Sequence, residues 1–335
     1  MILSMDLGPD SYNIVIERGA LAQAAQYFQL NRKVLIVTDS GVPAEYAEKI
    51  ASQCQTPFIE TFPQGEEHKN MQIYQILLKR MVQEGFSRSD CVVAVGGGVC
   101  GDIAGFAAAS YMRGIDFYNV PTTLLSQVDS SIGGKVAIDF EGYKNIVGAF
   151  HQPKGVLIDP DVLQTLPPRQ IANGMAEAIK MAATCDADLF AFLEEKDPMQ
   201  EIESVIAGAL KIKKNVVEQD PKEKGLRRVL NFGHSVGHAI ESVAGFSALY
   251  HGECVALGML VMAAPGPRAR LKKVLDKVGL PTEYTYDSAR VIEAMKMDKK
   301  VSEGSLTVVT VPKIGAFAFE QIPLNELEHK MKEVL

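Results

Sequence analysis

The sequence predicts an α/β fold, with an N-terminal Rossmann-like α/β domain over residues 1–168 and a mainly helical C-terminal domain over 169–335. Three observations carry this. Short apolar, β-branched runs alternate with segments of helical periodicity through the first half, the pattern of a mostly parallel sheet flanked by helices. A glycine cluster, Gly96-Gly97-Gly98, directly follows one of those runs. Beyond the paired Pro167-Pro168, helical patterns dominate.

Taken in order, Val34–Thr38 reads as a buried strand and Pro43–Ser52 as a helix. Pro57–Phe62 reads as a second strand. Met71–Glu84 reads as a helix whose apolar Ile73, Ile76, Leu77 and Met81 share a face. Cys91–Val95 is a third strand and runs into the glycines, with a helix over Ile103–Ser110 and a short strand over Phe117–Val120. Around that strand, polar and glycine-rich stretches between Tyr111 and Asn145 read as loop, and loops carry function. The prolines mark a boundary because each ring removes a donor and restrains the residue before it. Helices follow over Gly174–Leu193, Ile202–Gln219, Arg228–Val243 and Gly252–Ala264. Pro265-Gly-Pro267 breaks or kinks the last of these before Arg268–Val278 resumes. Ser305–Val311 alternates as a strand, and Lys313-Ile-Gly315 turns it into a hairpin.

Composition narrows the function. With 47% hydrophobic and 22% charged residues, the chain is ordinary for a globular protein. A net charge of −7 argues against nucleic acid as the main partner, since phosphate backbones favour a basic surface. No apolar run approaches the ~20 residues of a membrane span. Met1–Asp6 shows no basic segment leading into an apolar one, so no secretion signal is expected. The five cysteines are scattered, with no CxxC pair, and fit free thiols in a reducing cytoplasm.

The chemistry concentrates between Asn231 and Glu253, which hold His234, His238 and His251 of the six histidines, beside Glu241. His234 and His238 are spaced i,i+4 and leave one face of a helix that Asn231 and Glu241 extend. Such a stripe suits proton transfer or metal ligation, and equally a pair of hydrogen-bonded histidines. A metal would need a third donor. Glu177 offers one, with Lys180 on the same helix face; an exposed ion pair explains that spacing as well. The glycines at 96–98 sit at the carboxyl end of a strand, where open α/β sheets bind ligands and where a following helix can receive a phosphate. A tight structural turn is the alternative. Arg113, Asp129, Lys135, Lys144 and Asn145 follow that turn in sequence, and together they point to a pocket for an anionic substrate as well as a cofactor.

These segments resemble a known family. Gly96-Gly-Gly-Val-Cys-Gly-Asp102, Pro121-Thr-Thr-Leu-Leu125, Asp129-Ser-Ser-Ile-Gly-Gly-Lys135, Lys144-Asn145, Ala176-Glu-Ala-Ile-Lys180, Gly225-Leu-Arg227, Asn231-Phe-Gly-His234, Gly237-His-Ala-Ile-Glu241 and His251-Gly-Glu253 are similar, in order, to the motifs of the 3-dehydroquinate synthases. The resemblance implies a dehydroquinate synthase-like fold and an NAD- and metal-dependent phosphate lyase. Its substrate would be 3-deoxy-D-arabino-heptulosonate 7-phosphate, and its products 3-dehydroquinate and phosphate. The route would be transient oxidation, β-elimination, reduction and aldol closure. Other sugar-phosphate cyclases and metal-dependent polyol dehydrogenases are the alternatives.

By the same resemblance, Glu177, His234 and His251 hold zinc or cobalt, while His238 transfers a proton and is not a ligand. Lys213 and Arg227 take the substrate carboxylate. Lys135, Asn145, Asn231 and one lysine of Asp298-Lys-Lys300, taken as Lys300, lie near the phosphate. Lys180 and Asp129 line the substrate site. Arg113 matches an arginine that reaches a neighbouring subunit, which implies a homodimer. The NAD positions are Asp39, Glu66, Lys69, Gly97, Gly98, Val99, Asp102, Thr122, Thr123, Leu125, Asp129, Lys135, Lys144 and Thr165.

Overall fold

The computed structural model describes residues 1–245, 248–296, 301–302 and 304–335. The chain divides into two compact units, Met1–Leu166 and Pro167–Leu335. The first contains β1 (Ile2–Met5), β2 (Tyr12–Ile16), β3 (Lys33–Asp39), α1 (Ala44–Ala51), β4 (Thr56–Phe62), α2 (Met71–Gln83), β5 (Cys91–Gly96), α3 (Gly98–Ser110), β6 (Asp116–Pro121), β7 (Lys135–Phe140), β8 (Tyr143–Phe150) and β9 (Gly155–Ile158). Seven strands form one sheet in the order β1-β2-β9-β6-β5-β3-β4. Only β1 and β2 pair antiparallel in it; the other neighbours run parallel.

Strand alternation builds two cores. Val34 and Ile36 of β3, with Cys91, Val93 and Val95 of β5, pack with Tyr46, Ala47 and Ile50 of α1 on one face. Leu35 and Val37, with Val92 and Ala94, pack on the other against Ile73, Leu77 and Met81 of α2 and Ile103, Ala104 and Ala107 of α3. Burial on both faces is why these strands read as continuous apolar runs. Helix α2 starts where Asn70 Oδ1 accepts the Gln72 and Ile73 amides at 3.0 and 3.1 Å.

Two sequence expectations change here. The glycine cluster is not only a turn, because α3 begins at Gly98, and Gly98 and Gly101 already belong to the helix. The stretch read as loop contains the β7–β8 hairpin, with Glu141 and Gly142 at positive φ (50° and 80°) in its turn. Val136 and Ile138 anchor β7 in the second core. Strand β8 keeps mostly exposed residues, so its apolar pattern is too weak to reveal a strand.

The second unit contains α4 (Pro168–Cys185), α5 (Ala187–Glu195), α6 (Ile202–Gln219), α7 (His234–Ala244), α8 (His251–Met262), α9 (Pro265–Lys277), α10 (Ser288–Lys296), β10 (Val301–Ser302), β11 (Ser305–Lys313), β12 (Ala316–Pro323) and α11 (Leu324–Val334). The three strands form an antiparallel sheet, β10-β11-β12. The helix expected over 174–193 is two helices, and it starts earlier, at Pro168. Asp186 breaks it by turning extended and accepting the Asp188 and Leu189 amides at 3.0 and 2.9 Å, an N-cap for α5. The helix expected from Arg228 also divides. Leu226–Asn231 is a 3₁₀ segment, Gly233 turns left-handed (φ 78°), and α7 begins at His234. Asn231 therefore does not extend the His234–His238 helix face.

Helix α8 is buried from Gly252 to Met262. It lies against its neighbours at backbone distance. A Cβ on Gly258 would fall 1.9 Å from the Gly233 carbonyl oxygen, on Gly237 2.9 Å from that of Cys254, and on Gly252 2.1 Å from that of Asn173. Gly258→Ala is expected to cost at least about 2 kcal/mol in chemical denaturation, because backbone cannot yield to the added methyl. Gly266→Ala, where a Cβ meets nothing within 4 Å, should stay within about 0.5 kcal/mol of the parent.

Candidate active site

That packing brings one carboxylate and the imidazoles together inside the second unit. Glu177, on α4, is 1% exposed. Its Oε2 accepts from the Lys180 ammonium one turn on. Its Oε1 is buried with no hydrogen-bond partner, and lies 3.6 Å from His234 Nε2 and 3.4 Å from His251 Nε2. A buried carboxylate oxygen left unmatched is costly, and here two imidazole nitrogens converge on it. Those three side chains have the donor types, and the convergence, of a catalytic zinc or cobalt site.

Each imidazole is oriented from behind. His234 Nδ1–H donates to the Phe232 carbonyl at 3.1 Å, which leaves Nε2 with its lone pair toward Glu177. Burial and then the Lys180 charge hold His234 well below the ordinary imidazole range, and so neutral. His251 Nδ1 lies 3.5 Å from Glu241 Oε2. Burial disfavours its protonation, but Glu177 and Glu241 outweigh that and push it up to about 9. Burial likewise raises the cost of charging Glu177, yet Lys180 and then His251 hold its carboxyl far below the usual range.

His238, one turn after His234, is exposed, and its ring centre lies 5.2 and 5.5 Å from those of His234 and His251. Nitrogens of the three rings lie within 4.8 Å of one another. Histidine geometry alone would therefore admit His238 as a third ligand, while Glu177 Oε1 has the His234 and His251 Nε2 atoms at 3.6 and 3.4 Å. Lys213 on α6 and Arg227 in the 3₁₀ segment are buried cations, 5% and 2% exposed. Asn231 donates to Glu223 Oε1 at 2.9 Å. Lys300 lies outside the described residues.

Helix α4 supplies residues that the sequence motifs did not single out. Arg169 holds Glu253 with two hydrogen bonds, 2.7 and 2.8 Å. Asn173 Oδ1 accepts the Gly252 amide at 2.6 Å. The spacing 169, 173, 177, 180 is the signal that would have found them, since it places all four on one face of a helix.

In the first unit, the sequence-derived cofactor positions gather where the parallel strands end. Asp39 closes β3, Gly97 precedes α3, and Thr122, Thr123 and Leu125 follow β6. No side chain caps α3, so its first amides can meet a phosphate. A Cβ on Gly97 would fall 3.0 Å from the Thr123 methyl, a tighter contact than a Cβ usually makes. Val99 and Asp102 lie in the first turns of α3. Lys69, 4% exposed, contacts Asp102 Oδ2 at 2.5 Å and donates to Asn145 Oδ1 at 2.6 Å, with Glu66 at 3.9 Å. Asn145 has φ 52°, and its amide donates to Asp139 at 2.7 Å. Lys144 is its neighbour on β8, Lys135 starts β7, and Asp129 lies in a π-helical turn, Ser126–Ser130. Thr165 meets the Tyr46 hydroxyl at 3.1 Å. Arg113 follows α3 with φ 69°, beside Met112 at 50°, an uncommon conformation for such residues.

Known structures share this architecture. 2-Deoxy-scyllo-inosose synthase, complexed with carbaglucose-6-phosphate, NAD+ and Co2+, matches with a TM-score of 0.92 at 26% identity over 100% of each chain. 2-epi-5-epi-Valiolone synthase from Streptomyces hygroscopicus subsp. jinggangensis, with NAD+ and Zn2+ bound, matches at 0.87 and 28% over 96% of each. A probable glycerol dehydrogenase from Sinorhizobium meliloti shares the fold alone, at 0.65 and 18% identity over 96% of this chain and 95% of that one. The class is thus the dehydroquinate synthase-like α/β fold. Within it, the profile described as 3-dehydroquinate synthase N-terminal matches residues 59–173, and the C-terminal profile matches 174–301. The 3-dehydroquinate synthase of Streptococcus sanguinis is 39% identical, over 99% of this chain and 100% of the relative. That of Enterococcus faecalis is 40% identical over 98% and 97%. The chain belongs to the 3-dehydroquinate synthase family.

The Lys69 network gives a test of its own. Lys69→Met, leaving Asp102 with a lost partner, should lower unfolding free energy by about 2 kcal/mol. The Lys69→Met/Asp102→Asn pair should lose less than the sum of the two single changes, measured as a double-mutant cycle.

Proposed function

We propose that this chain converts 3-deoxy-D-arabino-heptulosonate 7-phosphate to 3-dehydroquinate and phosphate, with NAD held by the first unit and Zn2+ or Co2+ held by Glu177, His234 and His251. The observation that carries the reading is the buried Glu177 Oε1, unmatched and facing two imidazole nitrogens at 3.6 and 3.4 Å. When bound, these groups supply reversible hydride acceptance and acidification of a substrate hydroxyl. Lys180 keeps Glu177 ionised, as a ligand must be. The Phe232 carbonyl keeps His234 in the tautomer that can ligate. His238, exposed beside the ligands, takes and returns the hydroxyl proton. Lys213 and Arg227 bind the substrate carboxylate, where a guanidinium fork suits the planar anion. Lys135, Asn145 and Asn231 serve the phosphate, and Asp129 lines the substrate site. For NAD, the uncapped α3 terminus at Gly97 and Gly98 would take a phosphate. Asp39, Glu66, Lys69, Asp102, Thr122, Thr123, Lys144 and Thr165 are its further contacts.

The chain would work as a homodimer, with Arg113 as the residue offered to the partner. None of its described cysteines forms a disulfide, in keeping with a reducing cytoplasm. No described helix is long and apolar enough to cross a membrane.

Protein supplied with NAD and Zn2+ is expected to release phosphate from the heptulosonate phosphate with no net accumulation of NADH. A metal-loaded, NAD-saturated protein that releases none overturns the assignment. His251→Ala should lose stoichiometric metal on dialysis. His238→Ala should retain it while the rate falls by about 10²–10⁴; metal analysis and steady-state rates separate the two roles.

A further inference from the structure

We infer that Arg169 is a positioning residue for the cation site, because it clamps the first turn of α8 and so sets where His251 presents its ring. The inference rests on the reading of His251 as a ligand. His251 is the first residue of α8, and helix starts fray unless they are held. Arg169 holds the residues on both sides of it. Its Nε and Nη2 donate to the two oxygens of Glu253, and Nη2 also donates to the Ala248 carbonyl at 2.8 Å. Its guanidinium carbon lies 4.1 Å from the centre of the Tyr250 ring. Glu253 Oε2 in turn accepts the Tyr250 amide at 2.7 Å, which closes a loop of contacts around His251.

The clamp and the ligand share one rod. Arg169 and Glu177 stand eight positions apart on α4, about 12 Å along its axis and on the same face. Between them, Asn173 accepts the Gly252 amide at 2.6 Å. Helix α4 thereby fixes the carboxylate and the start of the helix that presents the imidazole. The Arg169 side chain is 46% exposed but that of Glu253 only 10%, so removing Arg169 leaves a mostly buried carboxylate short of partners and costs some stability. Beyond that loss, the effect is expected on the geometry of His251, which metal binding reads directly. Groups that orient a ligand commonly change metal affinity 10–100-fold.

The test is a Co2+ titration of the metal-free full chain, followed by visible absorption, with circular dichroism as the check on folding. Arg169→Met should weaken Co2+ binding roughly 10–100-fold and alter the absorption band, with a native circular dichroism spectrum. Glu253→Gln should do likewise, and Arg169→Met/Glu253→Gln should add little to either. Arg169→Lys, which keeps the charge without the fork, should recover part of the affinity; if Arg169→Met does not fold, Arg169→Lys carries the comparison with wild type. Wild-type affinity and an unchanged band in the folded variant overturn the inference, as do losses that add independently in the double variant. A wild-type chain that takes up no Co2+ overturns the ligand reading instead, and this inference with it.

Discussion

Backbone-to-backbone contact among α4, α7 and α8 is the constraint on which the candidate site depends. Side chains normally hold helix axes 8–10 Å apart. Here Gly233, Gly237, Gly252 and Gly258 remove them where the helices meet, so that an added Cβ would strike a carbonyl oxygen at each. The close approach lets residues from three separate helices, Glu177, His234 and His251, present short donor atoms to one point. Larger residues at those positions would open that point beyond the reach of a carboxylate and two imidazoles.

Within this contact, the charges sort themselves by partner. Glu177 is ionised because Lys180 lies beside it. His234 is neutral because burial and that same lysine disfavour a second cation, and a backbone carbonyl takes its Nδ1 proton. His251, between Glu177 and Glu241, favours the protonated form and would give up that proton to ligate a cation. Two imidazoles a few ångströms apart thus differ in proton affinity because of what stands behind each ring. His238 lies on the same helix as His234 but stays exposed, which suits a group that must exchange a proton with substrate.

In the first unit, the parallel sheet leaves its strand ends along one edge. Buried strands deliver Asp39, Gly97 and Thr122 to one edge, and α3 adds uncapped amides. A side chain at Gly97 would have to push the Thr123 methyl back, since a Cβ there falls 3.0 Å from it. The Lys69–Asp102–Asn145 network then ties the turn before α2, the start of α3 and the β7–β8 hairpin together. Most of this edge was legible in the sequence, because the apolar runs of β3, β5 and β6 stop at Asp39, at the glycines and at Pro121. The hairpin was not: β8 exposes most of its side chains, and exposed strands leave no burial pattern to read.

By itself the sequence did not reveal β2 or the fully buried β9, but it determined the α/β class, the strands at 34–38, 57–62, 91–95 and 117–120, Ile202–Gln219 as one helix, and the residue types of the site. Those follow from local periodicity and from motifs whose spacing is set by a single element. It did not determine that Asn231 leaves the α7 face, because the left-handed turn at Gly233 was hidden inside a helical pattern. Nor did it show that Arg169 and Asn173 reach the start of α8. Only the tertiary structure decided that, and it supplied the 3.4 Å approach of His251 to Glu177 behind the grouping that the family resemblance implied. Such contacts join residues about 75 to 85 positions apart, and their distance depends on how closely glycines allow two helices to pack.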